Sequence, residues 1–172
     1  GELSAQSLQN QLFELEDVIF EPIEVPKGYE KAYKLRVKQP LDHKDPSKGY
    51  FYQTVWLSHK GYDRPTTLIT NGYYALSNRI QEISSLMKAN QVSVEHRYFG
   101  SSTPEKVDYQ YLNMEQVAAD LHRIRTLLGK FYQQKWVASG ISKGGQTTIL
   151  YRYYFPDDVA ASVPYVAPLN LA

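Results

Sequence analysis

The chain has 172 residues, 42% of them hydrophobic, and its 19 lysines and arginines against 18 aspartates and glutamates leave a net charge of +1. That is one domain's length with enough apolar mass for a core, and it lacks the basic surplus needed to follow a phosphate backbone, so a disordered tail and a nucleic-acid partner are both excluded. Zero cysteines exclude thiolate metal sites, cysteine nucleophiles and disulfides, and no apolar run approaches the roughly 18 residues of a membrane span. From the N-terminus, Leu8, Leu12 and Leu15 stand at helical spacing between Ser4 and Asp17, which predicts a short amphipathic helix. Pro22 and Pro26 end it, and Lys27-Gly28 reads as a turn.

From Lys31 the pattern becomes alternation, with Tyr33, Leu35 and Val37 on one face and Lys34, Arg36 and Lys38 on the other, so a half-exposed strand is expected. A loop rich in Asp, Pro, Ser and Gly then leads to Phe51–Leu57, predicted to pair antiparallel with it. Thr66–Thr70 is β-branched and apolar on both sides, as a doubly covered strand should be, and it stops at Asn71-Gly72. A helix is predicted from Leu76 to Lys88 and a strand from Gln91 to His96. Asn113 with Gln116 three residues on resembles a capping box, and Val117, Leu121, Ile124, Leu128 and Phe131 form one helical stripe behind it. The strand Lys135–Ser139, a helix ending near Tyr154, the break at Pro156-Asp157-Asp158 and a sixth strand from Ala161 to Ala167 complete the pattern. Two antiparallel strands followed by alternating strands and helices define an α/β sheet of about six strands, mostly parallel, with helices on both faces.

Chemistry concentrates at Gly140-Ile141-Ser142-Lys143-Gly144, a G-x-S-x-G segment with a predicted strand before it and a helix after it. A serine at such an apex sits in strained backbone, and side chains at Gly140 and Gly144 would strike neighbouring main chain. Ser142 is therefore the candidate nucleophile, near the positive end of the following helix, with the main-chain N–H of Lys143 as one oxyanion donor. The second donor should come from the loop after the third strand, where Gly72 allows close approach and the N–H of Tyr73 is the candidate.

Glu95-His96-Arg97 ends the fourth strand at the sheet edge where α/β proteins place ligands. Glu95 either pairs with Arg97 or holds a substrate ammonium, and Glu95 and Arg97 are treated as pocket residues, whereas His96 reads more readily as a structural group than as a general base. His43, His59 and His122 stand apart without a second ligand at metal spacing, so no metal is expected. The Tyr151–Phe155 aromatic cluster fits packing of the nucleophile helix better than a substrate role.

The stretch Val94-Glu95-His96-Arg97-Tyr98-Phe99-Gly100-Ser101-Ser102-Thr103-Pro104, then Gly140-Ile141-Ser142-Lys143-Gly144-Gly145, then Pro156-Asp157-Asp158-Val159 resembles the secreted bacterial serine peptidases that include prolyl tri- and tetrapeptidyl aminopeptidases. More distantly it is similar to the lysosomal Pro-X carboxypeptidase group. The resemblance runs from about Lys31 to the end. It implies an α/β-hydrolase fold, no cofactor, a peptide substrate shortened from its free N-terminus with cleavage after proline, and Ser142 as nucleophile. It also implies export, with a signal peptide that is not part of this sequence.

In α/β-hydrolases the triad runs Ser, then Asp or Glu, then His, yet all four histidines precede Ser142. Asp157 and Asp158 follow the elbow too soon to be the triad acid. Residues 1–30 thus read as an N-terminal extension and 31–172 as the N-terminal portion of the catalytic domain, incomplete and inactive alone. Its sixth strand is expected to meet the missing C-terminal part or a second copy. An esterase or lipase built on the same elbow, and a non-catalytic binding module that keeps the sheet, remain competing readings.

Overall fold

The computed structural model describes residues 4–75 and 77–165. Its elements run α1 (Ser4–Glu14), β1 (Val18–Pro22), β2 (Lys31–Pro40), β3 (Tyr50–His59), β4 (Thr66–Thr70), α2 (Glu82–Met87), β5 (Asn90–Val94), α3 (Met114–Leu128), β6 (Trp136–Ile141), α4 (Lys143–Tyr154) and β7 (Ala161–Tyr165). The strands form one sheet in the order β1-β2-β3-β5-β4-β6-β7. β1, β2, β3 and β5 pair antiparallel in turn, whereas β5, β4, β6 and β7 run parallel. This is the α/β arrangement expected from the sequence, with an antiparallel start and parallel remainder.

Side-chain period decides which face each element covers. Leu68 and Ala138 point to one face, together with Leu35, Val55 and Val92, and are covered by Leu8 and Leu12 of α1, the Val117–Leu128 stripe of α3 and Tyr151 of α4. Their neighbours Ile69 and Val137 point to the other face and meet Ile83 of α2. Phe131 reaches the same core, but from the turn after α3 rather than from the helix the stripe predicts, because α3 ends at Leu128.

Three local outcomes differ from the sequence pattern. The segment before Lys31 contains a strand, β1, paired from Val18↔Val37 to Pro22↔Tyr33. An edge position tolerates Pro22 because its missing N–H has no ladder partner to lose, and Phe20 sets its ring edge-on against Tyr33 at 5.7 Å. The helix predicted from Leu76 is confined to Glu82–Met87, and Leu76 itself lies outside the described residues. Before it, the Gln91 side chain accepts from the Gln81 N–H at 2.8 Å and donates to the Arg79 carbonyl at 2.9 Å, so these backbone groups are committed away from a helix. Asn113 caps α3 by accepting from the Gln116 N–H at 3.0 Å, but Gln116 does not return the bond. Its side chain instead donates to Asp42 and accepts from the His43 N–H, tying α3 to the β2–β3 loop. Of the predicted strand Ala161–Ala167, the last two residues lie outside the described set.

His59 is 1% exposed at the end of β3 and shares a 2.6 Å hydrogen bond with Tyr132. Burial, the largest influence, holds its pKa below the ordinary 6.5, with a smaller opposing pull from Glu30. The unfolded chain therefore takes up this proton at a higher pH than the folded one, so its contribution to stability is complete above pH 6.5 and is lost as pH falls below it. Melting temperature is expected to drop from pH 7 to pH 5, and H59Q should flatten that slope; an equal slope in both proteins would refute the assignment.

Candidate active site

β6 carries the chain to Ile141, α4 starts at Lys143, and Ser142 between them has φ 54° and ψ −116°. A non-glycine residue held there costs of order 1–3 kcal/mol and persists only when its surroundings enforce it. Those surroundings can be named. The Ser142 N–H donates to the Tyr165 carbonyl of β7 at 2.8 Å, and the Ser142 carbonyl accepts from the Gln146 N–H at 3.1 Å. Thr70, at the end of β4, donates its hydroxyl to the Gly144 carbonyl at 2.6 Å, which leaves its oxygen to accept from Thr148 at 2.5 Å. A Cβ at Gly140 would overlap the Gly144 carbonyl and crowd Thr70, and one at Gly144 would overlap the Thr70 carbonyl. Both glycines are thus steric requirements of the bend.

Ser142 is exposed at the apex and lines a cleft of about 390 Å³ together with Lys143, Gly72, Tyr73, Tyr74 and Ile141. Lys143 is the first residue of α4, where a main-chain N–H has no partner within the helix and lies at the positive end of the dipole. The Gly72–Tyr73 loop closes on the same spot: a Cβ on Gly72 would sit 2.5 Å from Lys143 Cβ, and the Lys143 ammonium stands 5.1 Å from the centre of the Tyr73 ring. Asn71 ties this loop to β5 by donating to the Val94 carbonyl at 2.7 Å, and the Tyr73 carbonyl accepts from the His96 N–H at 3.2 Å. Ser142, Lys143, Gly72, Tyr73, Gly140 and Gly144 are therefore brought together.

Glu95 and Arg97 are not part of this cleft, and they do not pair with each other. Glu95 is 1% exposed and accepts from the Ser101 and Ser102 hydroxyls at 2.8 and 2.7 Å and from the Ala75 N–H at 3.1 Å. It pins the loop behind Tyr73 to the Gly100–Ser102 turn. Arg97 is fully buried and grips Asp120 of α3 with two parallel 2.7 Å hydrogen bonds, while its remaining donors reach the Leu41, Tyr111 and Pro40 carbonyls. The positions are at the strand end as expected, but both side chains point into scaffold. Asp120, which also lies 2.7 Å from His43 Nε2, was the partner to look for, since a charge inside the apolar Val117–Ile124 stripe must be paired to be buried. Thr70 and Thr148 gave no comparable signal, because threonine is ordinary in a strand and unremarkable in a helix.

Among the described residues no group of three or more His, Asp and Glu side chains could hold a metal ion, and no helix is long and apolar enough to cross a membrane. His43 engages Asp120, His59 Tyr132 and His122 Asp158, each through a ring nitrogen.

A mixed sheet whose parallel strand β6 turns into α4 through an exposed serine between glycines has the geometry of the strand-to-helix elbow of the α/β-hydrolase fold. In agreement, an acetyl xylan esterase from Paenibacillus sp. R4 superposes with a TM-score of 0.64 at 15% identity, covering 94% of this chain and 57% of that one. Another, from Thermoanaerobacterium sp. JW/SL YS485, gives 0.59 at 11% identity, covering 93% and 56%. Residues 5–172 match the family described as PS-10 peptidase S37, and the chain belongs to that family. It is 42% identical over 132 residues to the prolyl tri/tetrapeptidyl aminopeptidase of Streptomyces mobaraensis, a match spanning 76% of this chain and 28% of that protein. It is also 32% identical over 107 residues to the serine protease vicPb of Bipolaris victoriae (strain FI3), spanning 52% of this chain and 20% of the relative.

Proposed function

We propose that this chain carries the nucleophile of a serine peptidase that removes short peptides from free N-termini, cleaving after proline. The observation that carries the reading is the left-handed bend at Ser142, exposed at the mouth of a cleft and held by Tyr165, Gln146 and the neighbouring glycines. Ser142 Oγ attacks the scissile carbonyl, the N–H groups of Lys143 and Tyr73 stabilise the oxyanion, and the leaving amine departs as the acyl-enzyme forms; water then releases the peptide. No cofactor enters these steps.

A general base must take the Ser142 proton. Among the described residues no histidine lines the Ser142 cleft: His43, His59 and His122 stand with Asp120, Tyr132 and Asp158, and His96 lines a neighbouring cavity that does not include Ser142. The reading therefore assigns the triad acid and histidine to residues outside these 172, and β7 is the edge they would join. Kinship with a prolyl tri/tetrapeptidyl aminopeptidase supports the substrate class, and the resemblance to secreted peptidases supports an extracytoplasmic setting.

A fluorophosphonate probe tests this. The intact protein is expected to be labelled at Ser142 and to release alanyl-alanyl-proline from a tripeptidyl amide, whereas S142A should lose labelling and about 10⁴–10⁶-fold in kcat. No labelling of the intact protein would leave only a binding module. Faster turnover of a nitrophenyl acetate than of the peptide would favour an esterase.

A further inference from the structure

A second cavity, of about 280 Å³, shares Gly72 and Lys143 with the Ser142 cleft, so the two adjoin at Lys143, one of the two proposed oxyanion donors. Phe99, Leu112, Met114 and Val117 supply its apolar wall, and His96 stands among them. His96 is 8% exposed, and its ring packs edge-on against Phe99 at 5.3 Å. Its Nδ1 lies 2.9 Å from the Arg97 carbonyl. A carbonyl only accepts, so Nδ1 carries the proton and Nε2 of the neutral ring is an acceptor. Nε2 has no hydrogen-bond partner among the described residues. Nor is it sealed off: among the described residues the enclosed unpartnered side-chain atoms are Gln39 Oε1, Asn78 Oδ1, Tyr98 OH and Ser162 Oγ. A nearly buried acceptor that retains access to an apolar cavity is an arrangement suited to a ligand bearing one N–H beside a hydrophobic group.

Building on the peptidase reading above, we propose that this cavity is a subsite for an apolar residue of the peptide substrate, and that His96 Nε2 accepts a hydrogen bond from an N–H of that peptide. The subsite is distinct from the Ser142 cleft but contiguous with it, so a peptide crossing Lys143 can occupy both. His96 is a binding residue in this scheme, and it takes no proton from Ser142. The electrostatics agree. Burial, above all, keeps its pKa below the ordinary histidine value; the Arg97 carbonyl and Asp120 pull the other way, while Lys143 and Arg97 add to the depression. The acceptor is therefore available at neutral pH. Protonation at lower pH removes it, so peptide affinity should fall as the solution is acidified.

The donor is either a backbone amide or the terminal ammonium, and two probes separate them: alanyl-alanyl-proline and its N-acetyl form, added to intact protein carrying ¹⁵N-labelled histidine. A saturable shift of the His96 Nε2 resonance is expected. Equal shifts with both peptides identify an amide donor, and a shift with the free amine alone identifies the ammonium; either supports the subsite. L112W, which fills the cavity from a half-buried position and leaves His96 in place, should weaken peptide binding by about tenfold or more and raise KM with kcat little changed. No Nε2 shift with either peptide, or unchanged affinity in L112W, overturns the proposal. Because the shift is read without turnover, its absence alongside normal Ser142 labelling condemns the subsite alone, and its presence without labelling condemns the peptidase reading alone.

Discussion

Replacing Asp120 with alanine is expected to cost about 3–5 kcal/mol of folding stability, the range for stranding one member of a buried ion pair. Arg97 is fully enclosed and Asp120 is 1% exposed. Their paired 2.7 Å bonds match a planar guanidinium to a carboxylate, and the remaining Arg97 donors are spent on main-chain carbonyls of the β2–β3 and Tyr111 segments. Removing the carboxylate leaves a buried cation with no counter-charge. His43 loses its partner as well. The double variant R97M/D120L should be less destabilised than the sum of its single changes, because it removes both charges together. Urea unfolding at constant m-value provides the measurement, and a D120A cost below about 1 kcal/mol would show that the pair is not the hub described.

Gly140→Ala should have the larger effect on chemistry. The added methyl group would overlap the Gly144 carbonyl and lie against the Thr70 carbonyl, all backbone atoms with no rotamer to yield. Relief requires β6 to move from the first turn of α4, which disrupts the Thr70–Gly144 and Thr70–Thr148 bonds and shifts Ser142 relative to Lys143. Overpacking of this kind costs about 1–3 kcal/mol, whereas displacement of a reacting group by about 1 Å can cost on the order of 100-fold in rate. The expected result is a folded protein, by near-ultraviolet circular dichroism, with fluorophosphonate labelling slowed at least about 100-fold. Labelling at the wild-type rate would mean that the bend is not enforced by its glycines.

Much of this architecture was legible in the sequence because it depends on periodicity. The alternation at Lys31–Lys38, the doubly apolar Thr66–Thr70 run and the Val117–Leu128 part of the helical stripe each map onto an element whose buried face follows the pattern. The elbow was legible for a steric reason, since two glycines around a serine are what the bend requires. What escaped depends on tertiary partners. β1 is too short and too exposed to alternate clearly, and exists because β2 offers it a ladder. The approach to α2 has helical spacing but is drawn straight by Gln91, a residue from the next strand. Glu95 and Arg97 had the composition of a binding site, and only the placement of Ser101, Ser102 and Asp120 shows how their charges are absorbed.

The bond from the Ser142 amide to the Tyr165 carbonyl has a consequence for biosynthesis. The acceptor is made later than the donor, so on the ribosome the serine emerges before the strand that fixes its backbone. At ordinary translation speeds the interval is on the order of seconds. Until that strand docks, the hydroxyl is an ordinary one on a flexible chain. The positive-φ conformation of Ser142 is thus fixed only once β7 has emerged.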